Sequence, residues 1–248
     1  MIRHIPNFIT SLNLTAGFIS IVLTLRGDIV NASWLILVAM IFDFLDGLSA
    51  RLLKAYSDIG KELDSLADVV SFGVAPAIIL YQLLNSSLAT KGTWLSDTMG
   101  PGAILILLLP AVMPVCAALR LAKFNIDDSQ TTSFKGLPTP ANALAVVSLV
   151  IAMHFSSGAL LTSFTNSASA LIIFTIIISL LMVTRIPMLS LKMHDLKVRG
   201  NEERYILITS VLLAIAFFGA AGAVLTIPLY IAVSLISTLF RKPLVVKH

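Results

Sequence analysis

Apolar runs recur along the whole 248-residue chain, and they limit its fold more than any other feature of the sequence. Hydrophobic residues make up 57% of the chain and charged residues only 12%, whereas a soluble domain carries about 25% charged residues. Runs of about 20 apolar residues are long enough to cross a hydrocarbon core of about 30 Å as a helix. The sequence therefore predicts one all-α domain over residues 1–248, a polytopic helical bundle embedded in a lipid bilayer.

The apolar runs predict about eight transmembrane helices. They lie near residues 8–25, 32–54, 60–84, 102–123, 139–157, 167–185, 205–219 and 222–240. The last two runs are short and closely joined, so residues 205–240 could instead form one re-entrant hairpin. With the N-terminus in the cytoplasm, only Arg26 and Lys91 of the 17 lysines and arginines fall in outside loops. This distribution follows the positive-inside rule and predicts that both termini are cytoplasmic.

The net charge of +4 does not indicate a nucleic-acid partner. In so apolar a chain, the basic residues are better explained as those of cytoplasmic loops beside lipid headgroups. We predict a lipid bilayer as partner and no nucleic acid. A single cysteine, Cys116, excludes an intrachain disulfide, and the sequence has no Cys/His cluster of the kind that binds zinc.

Four aspartates, Asp43, Asp46, Asp64 and Asp68, lie in or beside these apolar runs. An ionised carboxylate is costly there, so its presence indicates a function or a compensating partner. The members of each pair lie three or four residues apart and share a helix face. In a helical hairpin all four carboxylates could converge, and their mutual repulsion would oppose ionisation unless cations lay between them. Ligand sets made only of oxygen suit hard divalent ions such as Mg²⁺, Mn²⁺ or Ca²⁺.

Small residues accompany the aspartates on the same helix faces. Gly47 and Ala50 follow the first pair, and Gly60 precedes the second pair by one turn. Their small size would leave room for a bulky ligand close to the backbone. The short loop 55–59 places this region at the cytoplasmic ends of the second and third spans. A site there could handle a charged head group and a lipid tail together.

Chemistry alone leaves three classes of function open for these carboxylates. They could hold catalytic metal ions. They could form ion pairs with Arg51, Lys54 and Lys61 in a membrane scaffold. They could also line the ion path of a cation-coupled transporter, although the sequence shows no evident inverted repeat.

The pattern D-x-x-D-G-x-x-A-R, eight residues, then G-x-x-x-D-x-x-x-D resembles the signature of the CDP-alcohol phosphotransferases. It is matched at every position between Asp43 and Asp68. The flanking segments NFITSLNLTAGF, ELDSLADVVSFGVAPA, RLAKFN and GLPTPANA are similar to the phosphatidylserine synthase branch of that family. The resemblance covers residues 5–145.

This resemblance implies an enzyme that transfers the phosphatidyl group of CDP-diacylglycerol to the hydroxyl of L-serine, giving phosphatidylserine and CMP. It also implies two divalent ions, Mg²⁺ or Mn²⁺, and a homodimer in a prokaryotic inner membrane with the active site facing the cytoplasm. The implied roles are metal ligands at Asp43, Asp46, Asp64 and Asp68, a general base at Asp68, and CDP-lipid contacts at Gly47, Ala50, Arg51 and Gly60.

The acceptor pocket has less support from the sequence. Arg120 and Lys123 lie three residues apart near the cytoplasmic end of the fourth span, where both could hold the carboxylate of serine. The alternative is that they are membrane-boundary anchors, more so for Lys123. Another alcohol, such as glycerol 3-phosphate or inositol phosphate, remains the alternative acceptor. The sequence leaves open the ion used, the acyl-chain preference, a covalent intermediate and the dimer interface.

Overall fold

The computed structural model describes residues 4–89, 101–126, 134–156, 158–189 and 201–240. Within these ranges the α-helices are α1 (Ile5–Leu25), α2 (Ile29–Leu52), α3 (Asp58–Asp68), α4 (Ala75–Ala89), α5 (Pro101–Leu108), α6 (Val112–Ile126), α7 (Thr139–Phe155), α8 (Ala159–Thr165), α9 (Ala168–Val183), α10 (Glu202–Phe218) and α11 (Thr226–Phe240). A π-helical turn over Val69–Val74 joins α3 to α4, and 3-10 segments over Leu109–Ala111 and Gly219–Leu225 precede α6 and α11. The predicted all-α fold is confirmed.

A minimal sheet is the only β-structure in the described ranges. Strand β1 (Phe134–Lys135) pairs antiparallel with β2 (Pro187–Met188), and Phe134 lies opposite Met188. The backbone N–H of Gly136 then donates to the Ile186 carbonyl at 2.8 Å. This pairing ties the segment before α7 to the segment after α9.

Five helical stretches of the described chain are long and apolar enough to cross a membrane. They are Ile5–Leu25, Ile29–Leu52, Asp58–Leu88, Ile104–Ile126 and Glu202–Thr238. The count is six if α8 and α9, which are bent by 81° at their junction, form one span. These stretches are typical of an integral membrane protein. Each of the eight predicted segments overlaps a described helix, but the count of eight crossings stays a prediction. Residues 1–3 and 241–248, at the predicted cytoplasmic termini, lie outside the described residues.

Small side chains bring α1 and α2 into a close antiparallel hairpin. Gly27, at φ +85°, makes the turn, and the Asp28 carboxylate caps α2 by accepting from the Asn31 backbone N–H at 3.1 Å. The Ser20 hydroxyl donates to the Ala32 carbonyl across the interface at 2.8 Å. Close approach through small residues is the usual way that membrane helices pack, because lipid tails compete for larger apolar surfaces.

A second tight connection leads from α2 to α3, and α3 packs against α1. The Ser57 hydroxyl caps α3 by accepting from the Gly60 backbone N–H at 3.0 Å. α2 ends at Leu52 and α3 begins at Asp58, close to the predicted loop 55–59. The two helices are therefore near neighbours in the chain, and each brings its acidic residues to the hairpin.

α7 runs through the centre of the bundle, and most of its residues are buried. Gly136, at φ +78°, lets the preceding turn lie against α9, since a side chain there would meet the Thr184 carbonyl at 2.8 Å. The Leu137 backbone N–H donates to the Leu181 carbonyl at 2.9 Å. These contacts fix where α7 begins and therefore where its first polar residues lie.

The chain reverses between α10 and α11. Gly219 has φ +58°, and Gly222 lies directly against the backbone of Ala214. Residues eight apart in a straight helix would be about 12 Å apart, so the segment folds back on itself. The Tyr230 hydroxyl then donates to the Leu189 carbonyl at 2.9 Å, which docks α11 near β2.

Gly17 on α1 supports a prediction about helix packing. A side chain at Gly17 would lie 2.8 Å from the Ser71 Cα in the π-helical turn, so Gly17→Ala should force α1 and this turn apart. Overpacking of this kind costs about 1–3 kcal/mol. We expect a lower melting temperature for the purified protein in detergent, measured by tryptophan fluorescence.

Gly102→Ala is the matched control, because nothing lies within 4 Å of the position its side chain would take. Alanine favours helix formation over glycine, so this control should melt at or above the wild-type temperature. Equal melting temperatures for Gly17→Ala and Gly102→Ala would contradict the proposed close contact.

Candidate active site

The α2–α3 hairpin brings the predicted acidic residues together. One carboxylate oxygen from each of Asp43, Asp64 and Asp68 lies within 4.8 Å of the others. Asp46 lies close enough to interact electrostatically with all three. Asp46 and Asp68 are buried, at 5% and 7% exposure, while Asp43 and Asp64 are half-buried. The structure therefore places four like charges in one small volume.

The nearby basic residues do not take up these charges as ion pairs. The Arg51 Nε donates to the Gly47 carbonyl at 2.9 Å, and the Lys61 Nζ donates to the Asn125 carbonyl at 3.1 Å. Among the described residues, the Asp46 Oδ2 and the Asp64 Oδ1 are buried without a hydrogen-bond partner. Buried acceptors are rarely left unpaired in native proteins. This all-oxygen donor set could hold a metal ion that prefers hard ligands.

An open cavity of about 450 Å³ adjoins the acidic cluster. It is lined by Asp46, Asp64, the four predicted CDP-lipid contacts Gly47, Ala50, Arg51 and Gly60, and the further residues Pro6, Asn7, Thr10, Ala55, Tyr56, Ser57, Lys61 and Phe124. Asn7, Tyr56 and Phe124 were not predicted as site residues. Asn7 and Phe124 lie within flanking motifs of the sequence, whereas Tyr56 lies in the loop, where no motif identified it.

The two glycines of the cavity play different parts. A side chain at Gly47 would meet only the Arg51 Nη2, at 3.8 Å, so the absence of a side chain there opens space over α2. A side chain at Gly60 would approach the Asn7 Oδ1 and the Ser57 Oγ at 2.9 Å. Gly60 therefore permits the close packing of α3 against α1, and the space beside Gly47 is open.

Asp68 lies between groups from α1 and α6. The Asn13 Nδ2 donates to the Asp68 Oδ1 at 3.5 Å, and the Ser71 hydroxyl donates to the Asn13 carbonyl at 3.0 Å. Arg120, on α6, also interacts electrostatically with Asp68. Its Nη1 donates to the Thr139 hydroxyl at 3.3 Å. A cation and an amide donor thus face the most buried part of the acidic cluster.

The two predicted acceptor contacts lie in different environments. Arg120 is half-buried and faces the acidic cluster, whereas Lys123 is exposed one turn later on α6. The end of α6 is held against α3 by Asn125, whose Nδ2 donates to the Ser65 hydroxyl at 2.9 Å. This contact keeps the Arg120 helix beside the helix that carries Asp68.

Comparison with known proteins shows the family of this chain. The family model of the CDP-alcohol phosphatidyltransferases matches residues 3–183, which include the whole acidic cluster, the cavity and Arg120. The chain belongs to this family. Its predicted membership is therefore confirmed, and the family match ends before α10 and α11.

Several similar proteins have names that state serine, or a serine lipid, in their reaction. The chain is 37% identical over 255 residues to the CDP-diacylglycerol–serine O-phosphatidyltransferase of Mycobacterium leprae (strain TN), covering 100% of this chain and 76% of the relative. It is 35% identical over 192 residues to the protein of the same name from Bacillus subtilis (strain 168), covering 77% and 93%. It is also 35% identical over 154 residues to the archaetidylserine synthase of Methanothermobacter thermautotrophicus, covering 61% and 60%.

The crowded acidic cluster supports a prediction about metal binding. Asp64→Ala removes one of the converging carboxylates, so it should relieve repulsion in the metal-free protein and also remove a ligand. We expect an unchanged or higher melting temperature in EDTA and a Mn²⁺ affinity at least about tenfold weaker, or about 1.4 kcal/mol. Thermal unfolding with and without Mn²⁺ measures both effects, because a bound ion stabilises the folded state.

Glu62→Gln is the control for this comparison, since Glu62 lies on the same helix but is exposed. It should retain the full Mn²⁺-dependent rise in melting temperature. A rise of wild-type size in Asp64→Ala would show that Asp64 is not a ligand.

Proposed function

We propose that this protein transfers the phosphatidyl group of CDP-diacylglycerol to the hydroxyl of L-serine, releasing CMP and forming phosphatidylserine. The observation that carries the proposal is the convergence of Asp43, Asp64 and Asp68 within 4.8 Å beside a cavity that Arg51 lines. Family membership supports the transfer chemistry. The printed names of the Mycobacterium leprae and Bacillus subtilis relatives support serine as the acceptor.

Asp43, Asp46, Asp64 and Asp68 would hold two divalent ions, Mg²⁺ or Mn²⁺. When bound, such ions hold a pyrophosphate and neutralise the charge that develops on a leaving phosphate. The unpartnered oxygens of Asp46 and Asp64 support this assignment, since a cation would satisfy both. The site would hold its ions where the membrane helices meet the cytoplasm.

The nucleotide end of the CDP-lipid would occupy the cavity over α2. Gly47 leaves open space there, and Ala50 and Gly60 line the same cavity. The Arg51 Nε is held by the Gly47 carbonyl, and its Nη2 faces the space over Gly47. The planar guanidinium could therefore hold phosphate oxygens in a defined orientation.

Asp68 would act as the general base. In the proposed step, the serine hydroxyl oxygen forms a bond to the phosphorus that carries the diacylglycerol, and the bond from that phosphorus to the CMP oxygen breaks. The hydroxyl proton passes to the Asp68 carboxylate. Asn13 and Arg120 approach Asp68 from two sides, which would hold the carboxylate in place during proton transfer.

Arg120 would bind the carboxylate of serine. Its guanidinium faces Asp68, and its buried Nε has no hydrogen-bond partner among the described residues. A free N–H donor beside the proposed base suits a carboxylate acceptor group. Lys123 is the second proposed acceptor contact, but because it is exposed it would need a longer reach than Arg120.

We further propose eight membrane crossings with both termini and the active site on the cytoplasmic side of a prokaryotic inner membrane. The distribution of Lys and Arg and the reversal between α10 and α11 support this topology. A homodimer is proposed from the family resemblance alone.

Release of CMP from CDP-diacylglycerol tests the proposed reaction directly. With Mn²⁺ and purified protein in mixed micelles, we expect CMP release that depends on L-serine and forms an equimolar amount of phosphatidylserine. Glycerol 3-phosphate and inositol phosphate should give no release, because they carry phosphate and would require more basic groups than Arg120 beside Asp68.

Release of CMP with either phosphate-bearing alcohol, but not with serine, would overturn the assignment of serine as the acceptor. Cation flux across sealed vesicles without any CMP formation would instead identify a transporter.

Asp68→Asn tests the role of the base. General-base catalysis contributes about 10²- to 10⁴-fold, so we expect a loss of turnover in that range. Because the side chain keeps its size and one carbonyl oxygen, binding of Mn²⁺ and of CDP-diacylglycerol should partly survive. Quenched assays of CMP release measure the loss of turnover. Thermal shifts measure the remaining binding of Mn²⁺ and of CDP-diacylglycerol.

The exposed Asp58, at the start of the same helix, provides the control variant Asp58→Asn, which should retain full turnover. Turnover of Asp68→Asn within about threefold of wild type would remove Asp68 from the proposed chemistry.

A further inference from the structure

Asn142 is a fully buried amide on the central helix α7, and nothing in the fold accounts for its polarity. Its exposure is 0%, and neither its Nδ2 nor its Oδ1 has a hydrogen-bond partner among the described residues. A buried polar group left unpaired costs about 1–3 kcal/mol. An apolar residue of similar shape, such as leucine, would avoid this cost. The amide is therefore better explained by a ligand than by packing.

The surroundings of Asn142 connect it to the proposed acceptor pocket. Thr139 lies three residues earlier on α7, so the two side chains share a helix face. The Thr139 hydroxyl accepts the hydrogen bond from Arg120, and Arg120 in turn faces Asp68. The Arg120 Nε is also buried and unpartnered. Arg120 and Asn142 thus carry three buried polar atoms without a hydrogen-bond partner among the described residues, and Thr139 bonds to the first residue and shares a helix face with the second.

These atoms suit a small zwitterion. A guanidinium N–H is a donor for a carboxylate and repels an ammonium group, so Arg120 accounts for only one charged end of an amino acid. An ammonium group needs acceptors, and the amide Oδ1 of Asn142 is a buried acceptor that has no hydrogen-bond partner in the described part of the chain. Burial excludes water from this position, which makes each such hydrogen bond more selective.

Backbone hydrogen bonds hold the start of α7 in place, and this favours a recognition role for Asn142 over a packing role. α7 begins directly after the turn that Gly136 and Leu137 anchor to α9 through backbone hydrogen bonds. The Asn142 backbone N–H donates to the Pro138 carbonyl at 3.0 Å. The amide is therefore presented from the first turns of a fixed helix.

We propose that the Oδ1 of Asn142 binds the α-ammonium group of the amino-acid acceptor and so selects acceptors that carry an ammonium group. This inference rests on the proposed function, in which Arg120 binds the carboxylate and Asp68 receives the hydroxyl proton. Asn142 acts as an acceptor-binding residue and takes no part in binding the CDP-lipid.

The test uses Asn142→Leu and Asn142→Ala in the full-length protein, after serine-dependent CMP release by the wild type has been established. Leucine keeps the volume of the side chain and removes an unpaired amide, so Asn142→Leu should melt at or above the wild-type temperature. We expect the KM for L-serine to rise at least about tenfold in both variants, while the KM for CDP-diacylglycerol stays within about twofold.

Ser148→Ala is the matched control on the same helix. Ser148 is buried, but its hydroxyl donates to the Ala145 carbonyl of its own helix at 3.0 Å, so it is already satisfied. This variant should leave both KM values unchanged. An equal rise in the serine KM of Ser148→Ala would indicate a general effect of α7 packing and would overturn the proposal.

A serine analogue without the ammonium group identifies the contacted group. We expect 3-hydroxypropionate to inhibit wild type and Asn142→Leu with inhibition constants that agree within about twofold. The KM for L-serine, in contrast, should rise at least about tenfold in Asn142→Leu. If the inhibition constant for 3-hydroxypropionate rises as much as the KM for L-serine, Asn142 does not contact the ammonium group.

The failure of this inference differs from a failure of the proposed function. If the wild type shows no serine-dependent CMP release, the proposed function fails. If the wild type depends on serine but Asn142→Leu keeps the wild-type KM for serine, only the role of Asn142 fails. A melting temperature well below wild type for both Asn142 variants would show that the amide supports the fold, and that result also overturns the inference.

Discussion

Mutual repulsion among buried carboxylates is the interaction on which the rest of this structure depends. Asp43, Asp46, Asp64 and Asp68 share one small volume in a membrane protein, where water cannot screen them well. Arg51 and Lys61 donate hydrogen bonds to backbone carbonyls instead, while Arg120 offsets part of the charge at Asp68. The fold therefore brings together groups that would separate if left to themselves. The proposed divalent cations would turn this unfavourable arrangement into a favourable one.

The remaining helices hold the four aspartates close together and add further side chains to the site. The caps at Asp28 and Ser57 stabilise the starts of α2 and α3, and both helices lie against α1. α6 is tied to α3 through Asn125 and delivers Arg120 to the inner side of Asp68. α7 adds Thr139 from the bundle centre. The site is thus formed by helices that are distant in the chain, with a cavity beside the acidic cluster.

Local patterns predicted the parts of this site that lie close together in sequence. The spacing of the four aspartates and the short loop between their helices were enough to predict their convergence, because helix periodicity and a tight hairpin leave few arrangements. The contact between Arg120 and Thr139 was not predictable in this way, since it depends on how α6 and α7 pack. The same applies to the unpaired amide of Asn142, to the π-helical turn after Asp68 and to the 81° bend between α8 and α9. Arg120 and Lys123 share a helical spacing, yet tertiary packing gives them different exposures.

An anomalous-scattering map of Mn²⁺-soaked crystals tests the central claim most directly. The account predicts anomalous peaks within coordination distance, about 2.0–2.3 Å, of carboxylate oxygens from the α2 and α3 aspartates. It also predicts that the ligands of these ions include the buried oxygens of Asp46 and Asp64 that have no hydrogen-bond partner among the described residues. Active crystals with Mn²⁺ bound elsewhere, or with these four carboxylates occupied only by water, would contradict it.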